Sequence, residues 1–350
     1  MSLDKTIVVL APGFPKDESD STCLPMQQQL VKAIKKNKPE IEVIVLSFQY
    51  PYHRQPYQWH GITVIPFNGR NKGGLQRLIN RHKILSVLKE LHRKRPIAGL
   101  LSFWYGECAA VGKIFADRNS IHHYCWVLGQ DVKKHNKYPA RTRLRPGELI
   151  AVSDATCAEF EKNHGVQPAH VIPPGIETGM FDKTVKERTI DILGAGSLIP
   201  LKNYEVFVLV VAAARALMPE LKAEIIGKGP EYKKLSDLII KHGLQDNITL
   251  AGELPYSDVL DRMQRSKIFL HPSITEGFSG VCMEALYAGA HVISLCKPMN
   301  RDIEHWHIAD STGEMIYQTN EMLHKNSRMN KSVLYHSMDE VAGKMLKLFF

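Results

Sequence analysis

Short runs of β-branched and aliphatic residues alternate with longer stretches of helical spacing along the whole chain. In the first half the apolar runs Thr6–Leu10, Ile41–Leu46, Ile62–Ile65, Ile97–Phe103, His123–Leu128, Leu149–Val152 and His170–Ile172 predict strands. Helices are expected between them, for example over Glu107–Asp117 and Ser153–His164. The second has Ser153 placed as N-cap and Gly165 as its stop. Pro173-Pro174-Gly175 breaks the pattern, and Glu177–Glu187 carries no apolar period. The alternation then resumes with strand Ile190–Leu193, helix Lys202–Met218, strand Glu224–Ile226, helix Pro230–His242 and strand Ile248–Leu250. Helix Ser257–Ser266, strand Ile268–Leu270, a helix over about Gly280–Ala288 and strand His291–Leu295 follow. The pattern predicts an α/β protein with two doubly wound domains in tandem: 1–170, a linker over 171–189, 190–335, and a C-terminal helix over 336–350. In such sheets ligands sit beyond the carboxyl ends of the strands, so those loops should carry the chemistry.

Charge adds a second division. Residues 1–170 hold 25 Lys and Arg against 14 Asp and Glu, whereas residues 171–350 hold 20 against 22. The excess is concentrated in Arg70–Arg95, where Leu75, Leu78, Ile79, Leu85 and Leu88 recur at helical spacing, and in Lys133, Lys134, Lys137, Arg141, Arg143 and Arg145. The first cluster predicts an amphipathic helix. An anionic membrane surface, a phosphorylated lipid acceptor or an acidic glycan could meet both clusters, as could solvent alone. No nucleic-acid-binding motif accompanies the charge.

The six cysteines form no C-x-x-C pair and read as buried thiols in a reducing compartment. The opening apolar run Ile7–Leu10 is too short for a secretory core. The longest apolar stretch, Val206–Met218, is interrupted by Arg215 and falls short of the ~20 residues of a membrane span. A cytoplasmic chain, peripheral at the membrane face, is the expectation.

Four strand-end loops hold the candidate chemistry. The first, Gly194-Ala195-Gly196-Ser197-Leu198-Ile199-Pro200-Leu201-Lys202-Asn203, offers free backbone amides ahead of a helix, an arrangement that suits an anion. Ile199 stands where a dinucleotide fingerprint needs its third glycine, and no G-K-[ST] follows. Lys202 at a helix start opposes the dipole, which hints at function. The second and third loops are Gly227-Lys228-Gly229-Pro230 and Gly252-Glu253-Leu254. The fourth runs from His271 to Gly280, with Glu276 just before a helix and Glu284 on its second turn. Helical side chains lean toward the N-terminus, so Glu284 can point back to the pocket that Glu276 borders. On spacing alone, a loop carboxylate and a solvated helical Glu explain the pair as well.

Thr275-Glu276-Gly277-Phe278-Ser279-Gly280, followed by Glu284-Ala285-Leu286 and Gly289, resembles the E-x7-E signature of retaining GT-B glycosyltransferases, especially family four. Gly194–Lys202 looks like that family's diphosphate loop, Gly227–Pro230 like its next turn, and Pro173-Pro174-Gly175-Ile176 with Phe181 like the entry to its second domain. The resemblance covers about residues 148–295 well and the rest in outline. It implies two Rossmann-like domains facing a central cleft. Lys202 would contact the donor diphosphate, Glu276 the sugar hydroxyls, and Glu284 the ribose. Gly196, Ser197, Gly227, Leu254, Gly277, Phe278, Ser279 and Gly280 would complete the donor site. The catalytic residues implied are Glu276 and Asp131, with Gly13, Trp104, Glu107 and Gln130 on the acceptor side. No cofactor and no metal is implied, and His305 with His307 reads as structural. Three departures stand out: Ser197 where the family usually has Arg, Leu128 for the His of its H-G-x-D turn (here Leu128-Gly129-Gln130-Asp131), and Ala11-Pro12-Gly13-Phe14-Pro15 for its first Gly-rich loop.

The function implied is transfer of a hexose-type sugar from a nucleotide-diphosphate sugar to the hydroxyl of a lipid-linked or glycan acceptor, with retention, in cell-envelope glycan or glycolipid synthesis. The rivals are a nucleotide-sugar epimerase or phosphorylase of the same architecture, and an inactive nucleotide-binding scaffold.

Overall fold

The computed structural model describes residues 5–324 and 331–350; residues 1–4, where the chain opens, and 325–330, inside the expected second domain, lie outside the described residues. The chain divides into two compact units, Met1–Gly175 with His336–Phe350, and Ile176–Tyr335. The change of unit falls at the end of the Pro-Pro-Gly segment that interrupts the sequence pattern.

In the first unit the strands are β1 (Thr6–Gly13), β2 (Glu42–Tyr50), β3 (Tyr57–Trp59), β4 (Ile62–Pro66), β5 (Ile97–Phe103), β6 (His122–Val127), β7 (Leu149–Ala151) and β8 (His170–Val171). They form one sheet in the order β3-β4-β2-β1-β5-β6-β7-β8, parallel except where β3 pairs antiparallel with β4. Ile7, Val8, Val9 and Leu10 are fully buried, as a central strand covered on both faces requires. The helices are α1 (Pro25–Asn37), α2 (Gly74–Lys94), α3 (Glu107–Asn119), α4 (Tyr138–Thr142) and α5 (Asp154–His164). Ser153 caps α5 by accepting from the Thr156 amide at 3.0 Å, and Gly165 ends it at φ 69°, as the sequence predicts. Strand β3 was not evident from the pattern, because three residues are too few to alternate.

The second unit holds β9 (Ile190–Ala195), β10 (Ala223–Ile226), β11 (Ile248–Gly252), β12 (Ser266–His271), β13 (His291–Ser294) and β14 (Trp306–Ile308). All are parallel, in the order β11-β10-β9-β12-β13-β14. Its helices are α6 (Tyr204–Arg215), α7 (Tyr232–Lys241), α8 (Tyr256–Gln264), α9 (Gly280–Tyr287) and α10 (Thr312–His324). The core joins Phe207, Val210 and Val211 of α6 to Ile192, Ile225 and Ile268 of the sheet. Helix α6 starts two residues later than expected. Asn203 adopts a left-handed φ of 52° and separates α6 from a 3-10 turn over Pro200–Lys202, so Lys202 precedes the helix rather than opening it.

The C-terminal helix α11 (Met338–Phe349) belongs to the first unit. Asp339 pairs with Lys36 at 2.5 Å, Tyr124 Oη donates to the Leu348 carbonyl at 2.7 Å, and a Cβ on Gly99 would strike the Phe349 ring at 2.3 Å.

The amphipathic reading of Arg70–Arg95 needs a correction. Ile84 and Leu88 of α2 are buried, but Leu75 and Leu78 are 73% and 60% exposed. The buried place in that half of the helix is taken by Asn80, whose amide reaches the Phe48 carbonyl at 3.3 Å. Among the described residues no helix is long and apolar enough to cross a membrane.

Candidate functional site

In the second unit the strand order reverses between β9 and β12, which opens a crevice beyond their carboxyl ends. The loops after β9, β10, β11 and β12 converge there and are laced together by backbone. Gly196 N–H donates to the Ile226 carbonyl at 2.9 Å, Leu198 N–H to Lys228 at 2.9 Å, Gly227 N–H to Gly252 at 2.7 Å, and Ile274 N–H to Leu201 at 3.0 Å. Gly227 is at φ 144°, and a Cβ there would lie 1.8 Å from the Gly196 carbonyl oxygen. Only glycine permits that approach.

Glu276, in the loop after β12, reaches across to the loop after β9. Its Oε1 accepts from Ser273 Oγ at 2.7 Å and from His271 Nε2 at 3.1 Å, and it pairs with Lys202 Nζ. Burial alone would push this carboxyl up, but the His271 hydrogen bond and the Lys202 ammonium outweigh it and hold its pKa at about 2. The group is therefore a carboxylate over the whole physiological range. His271 is itself kept neutral by burial, so its Nε2 carries the proton it donates.

Glu284, on the second turn of α9, is tuned in the opposite direction. Burial pushes its pKa up to about 7 against the hydrogen bond that Tyr256 Oη donates to Oε1 at 2.6 Å. Its Oε2 is buried with no hydrogen-bond partner. Buried polar atoms are rarely left so, and an unmatched acceptor here suits a hydroxyl donor.

The other expected donor residues stand on the same four strand-end loops. Ser197 is exposed in the β9 loop, and Leu254 is half-buried beyond β11. Phe278 turns inward, its ring 5.7 Å from Trp306 and 5.8 Å from Tyr335, which leaves its backbone rather than its ring on the site side. Gly277 and Ser279 are buried beside it, and Gly280 opens α9. His271, Ser273 and Tyr256 were not singled out by sequence reasoning. The first two stand within the recognised loop, while Tyr256 lies 28 residues from its partner and leaves no local signal.

In the first unit the expected acceptor-side residues lie at the carboxyl ends of β1, β5 and β6, neighbouring strands around a second reversal of order. Gly13 ends β1 opposite Tyr50. Trp104 follows β5 at φ 61°, its amide donating to the Trp126 carbonyl at 3.0 Å. Glu107 opens α3 with both carboxylate oxygens engaged, by Arg81 Nε at 2.9 Å and Gln49 Nε2 at 3.0 Å. Gln130 is exposed on a 3-10 turn. Asp131 is buried and accepts from the amides of Tyr105 (2.8 Å), Leu128 (3.0 Å) and Gly129 (2.8 Å). Burial pushes its pKa up against the pull of those hydrogen bonds. The carboxylate thus ties the turn after β6 to the end of β5, with its lone pairs directed at backbone.

His305 and His307 gather round His291, whose Nδ1 is 3.3 Å from His307 Nε2. Burial and the two neighbouring rings push His291 down to about 4. Among the described residues no group of three or more His, Cys, Asp or Glu could hold a metal ion.

Two parallel-sheet, Rossmann-like units with ligand loops at the strand ends are the architecture of GT-B glycosyltransferases. Sucrose-phosphate synthase from Thermosynechococcus elongatus superposes with a TM-score of 0.77 at 14% identity, covering 99% of this chain and 98% of that one. Anabaena Alr3699/HepE in complex with UDP and glucose gives 0.68 at 15% identity, covering 98% and 97%. Residues 176–325 match the family model of glycosyl transferases group 1. The chain is 36% identical over 165 residues to the gpi3 subunit of phosphatidylinositol N-acetylglucosaminyltransferase from Schizosaccharomyces pombe, covering 45% of this chain and 36% of the relative. It is 29% identical over 185 residues to a subunit of the same transferase in Arabidopsis thaliana, covering 51% and 39%. The chain therefore spans well under half the length of these relatives.

Proposed function

We propose that this chain is a metal-independent, retaining glycosyltransferase of the family-four type that moves a hexose-type sugar from a nucleotide-diphosphate sugar to an acceptor hydroxyl. The observation that carries the reading is the paired tuning of two carboxylates at one strand-order reversal: Glu276 ionised beside Lys202, and Glu284 buried with an unmatched oxygen. In this reading Glu276 meets the sugar hydroxyls and Glu284 the ribose. The amides at the start of α9 and Lys202 receive the negative charge that grows on the departing diphosphate. The C1–O bond to diphosphate breaks, the acceptor oxygen bonds C1, and the hydroxyl proton leaves with the diphosphate. Asp131 acts as a positioning residue, because its carboxylate is committed to backbone amides. UDP is the favoured nucleotide, since HepE, of the same fold, was solved with UDP and glucose. The acceptor belongs to cell-envelope glycan or glycolipid synthesis. Lys202→Ala should weaken UDP binding about 10- to 100-fold, the loss of one charge-assisted contact, and leave uridine binding nearly unchanged. Equal losses for both ligands in calorimetry would reject the role.

A membrane-facing acceptor is supported by the segment that enters α2, where exposed Leu75 and Leu78 are close in sequence to exposed Arg70, Lys72 and Lys83. Leucines that insert and cations that meet lipid phosphates make an anionic-surface anchor. The protein should co-sediment with phosphatidylserine vesicles at low salt and be released by salt or by Leu75→Asp with Leu78→Asp. Absence of binding at low salt would remove this reading.

A further inference from the structure

The first unit contains a cavity of about 530 Å³ lined from α2, the Gln130–Val132 turn and α4. Its walls include Arg77, Arg81, Gln130, His135, Lys137 and Arg141. Arg81 is held in place, its Nε bonded to Glu107 at 2.9 Å and its Nη2 to the Tyr138 hydroxyl at 3.1 Å. Glu107 is consumed by that contact and by Gln49, so it cannot neutralise the remaining cations. Among the described residues Arg77, Lys137 and Arg141 form no ion pair, and Arg77 Nε is buried with no hydrogen-bond partner. Cations gathered without a counter-charge repel one another, and a buried guanidinium N–H left unmatched is unfavourable. An anion relieves both costs at once. Guanidinium forks converging on one space match the oxygens of a phosphoryl group.

A second cavity of about 900 Å³ adjoins the first and shares Asn136, Lys137 and Arg141 with it. Leu144, Phe160 and Val166 give it an apolar lining, and Lys134 and Arg143 add further positive charge. The two spaces together accommodate a molecule with a charged head and a less polar body.

We propose that the Arg77–Arg141 cavity is a phosphate subsite, and that the acceptor of the transfer carries a phosphoryl group. The word acceptor rests on the glycosyltransferase reading; the anion site does not. The charge pattern leaves a phosphorylated acceptor as one of several partners for two separate clusters; the fold brings Arg77 and Arg141, about 60 positions apart in the chain, to one space.

The test is calorimetric titration of inorganic phosphate into protein saturated with UDP, which keeps the donor loops occupied. Wild type should give saturable binding that weakens with added salt. The double variant Arg77→Met, Arg141→Met, which keeps the aliphatic stems, should lose at least about tenfold in phosphate affinity. Its UDP affinity should match wild type, which also shows that it is folded. No saturable phosphate binding in the UDP-loaded wild type, or unchanged binding in the double variant, would overturn the subsite. If the wild type bound no UDP, the glycosyltransferase reading would fail, and phosphate titrated into the unliganded protein would still decide the subsite. Glycerol 3-phosphate and monomeric dihexanoyl phosphatidic acid distinguish the sources. Tighter binding of the second assigns the subsite to a lipid head group, equal binding to a soluble phosphate ester, and binding of neither overturns it.

Discussion

Glu276→Gln is expected to lower the turnover number about 100-fold or more while changing the donor Michaelis constant only a few-fold. The carboxylate is held ionised by Lys202, His271 and Ser273, and Gln removes that charge while keeping its shape. In the proposed reaction positive charge develops at the anomeric carbon, so contacts from Glu276 strengthen on the way to the transition state. A hydrogen bond to a charged group is worth about 1.5–3 kcal/mol, and losing part of the local field adds to it. Glu284→Gln should fail differently. Its expected partner, the ribose, is remote from the reacting bond, so the loss falls mainly on donor binding. The same substitution has a stability signature. The pKa of Glu284 is raised by burial to about 7, above its unfolded value, so the stability tied to its protonated form is present at low pH and lost as pH rises through about 7. Glu284→Gln removes a charge that is unfavourable to bury, so its melting temperature relative to wild type should rise between pH 5 and pH 8. Kinetics near wild type for both variants would remove the site assignment.

Gly227→Ala should cost more stability than any other single methyl added to the strand-end loops of the second unit. The new carbon would lie 1.8 Å from the Gly196 carbonyl oxygen, and that oxygen belongs to backbone that cannot swing aside. The φ of 144° adds strain for any L side chain. Together these exceed about 3 kcal/mol, and the loops after β9 and β10 must separate to relieve them. The matched control is Gly252→Ala, also left-handed at φ 72° but with nothing within 4 Å of the added carbon. It should cost only about 1–2 kcal/mol. Thermal unfolding of both variants checks the contrast, and UDP binding should be abolished in the first and kept in the second. Equal melting temperatures would show that the loops are not locked in the way described.

The sequence carried the alternating architecture because parallel strands buried on both faces must be nearly continuous apolar runs, as in Ile7–Leu10. Local caps were equally legible: Ser153 and Gly165 act through bonds within four residues. What stayed hidden depends on distant partners. Tyr256 meets Glu284, and Arg81 meets Glu107, through contacts that no local pattern records. The apolar spacing in α2 was read as a buried face, yet Leu75 and Leu78 are exposed, because periodicity gives a side of a helix and not what covers it. Asp131 shows the same limit from the polar side. An acidic residue in a strand-end turn suggests chemistry, while its burial beneath three amides is a tertiary fact. Lys202 and Glu276 lie 74 residues apart, and the resemblance placed both in one donor site without indicating that they pair.

In the proposed function the strand-end loops of the second unit hold a nucleotide-diphosphate sugar and break its anomeric bond. Phosphorus NMR of UDP-glucose and UDP-N-acetylglucosamine, each incubated with the protein and a panel of phosphorylated acceptors, tests it most directly. UDP should accumulate with wild type for at least one donor and be nearly absent with Glu276→Gln. A folded wild-type protein that binds neither sugar nucleotide, or a Glu276→Gln variant that releases UDP as fast as its parent, would contradict it.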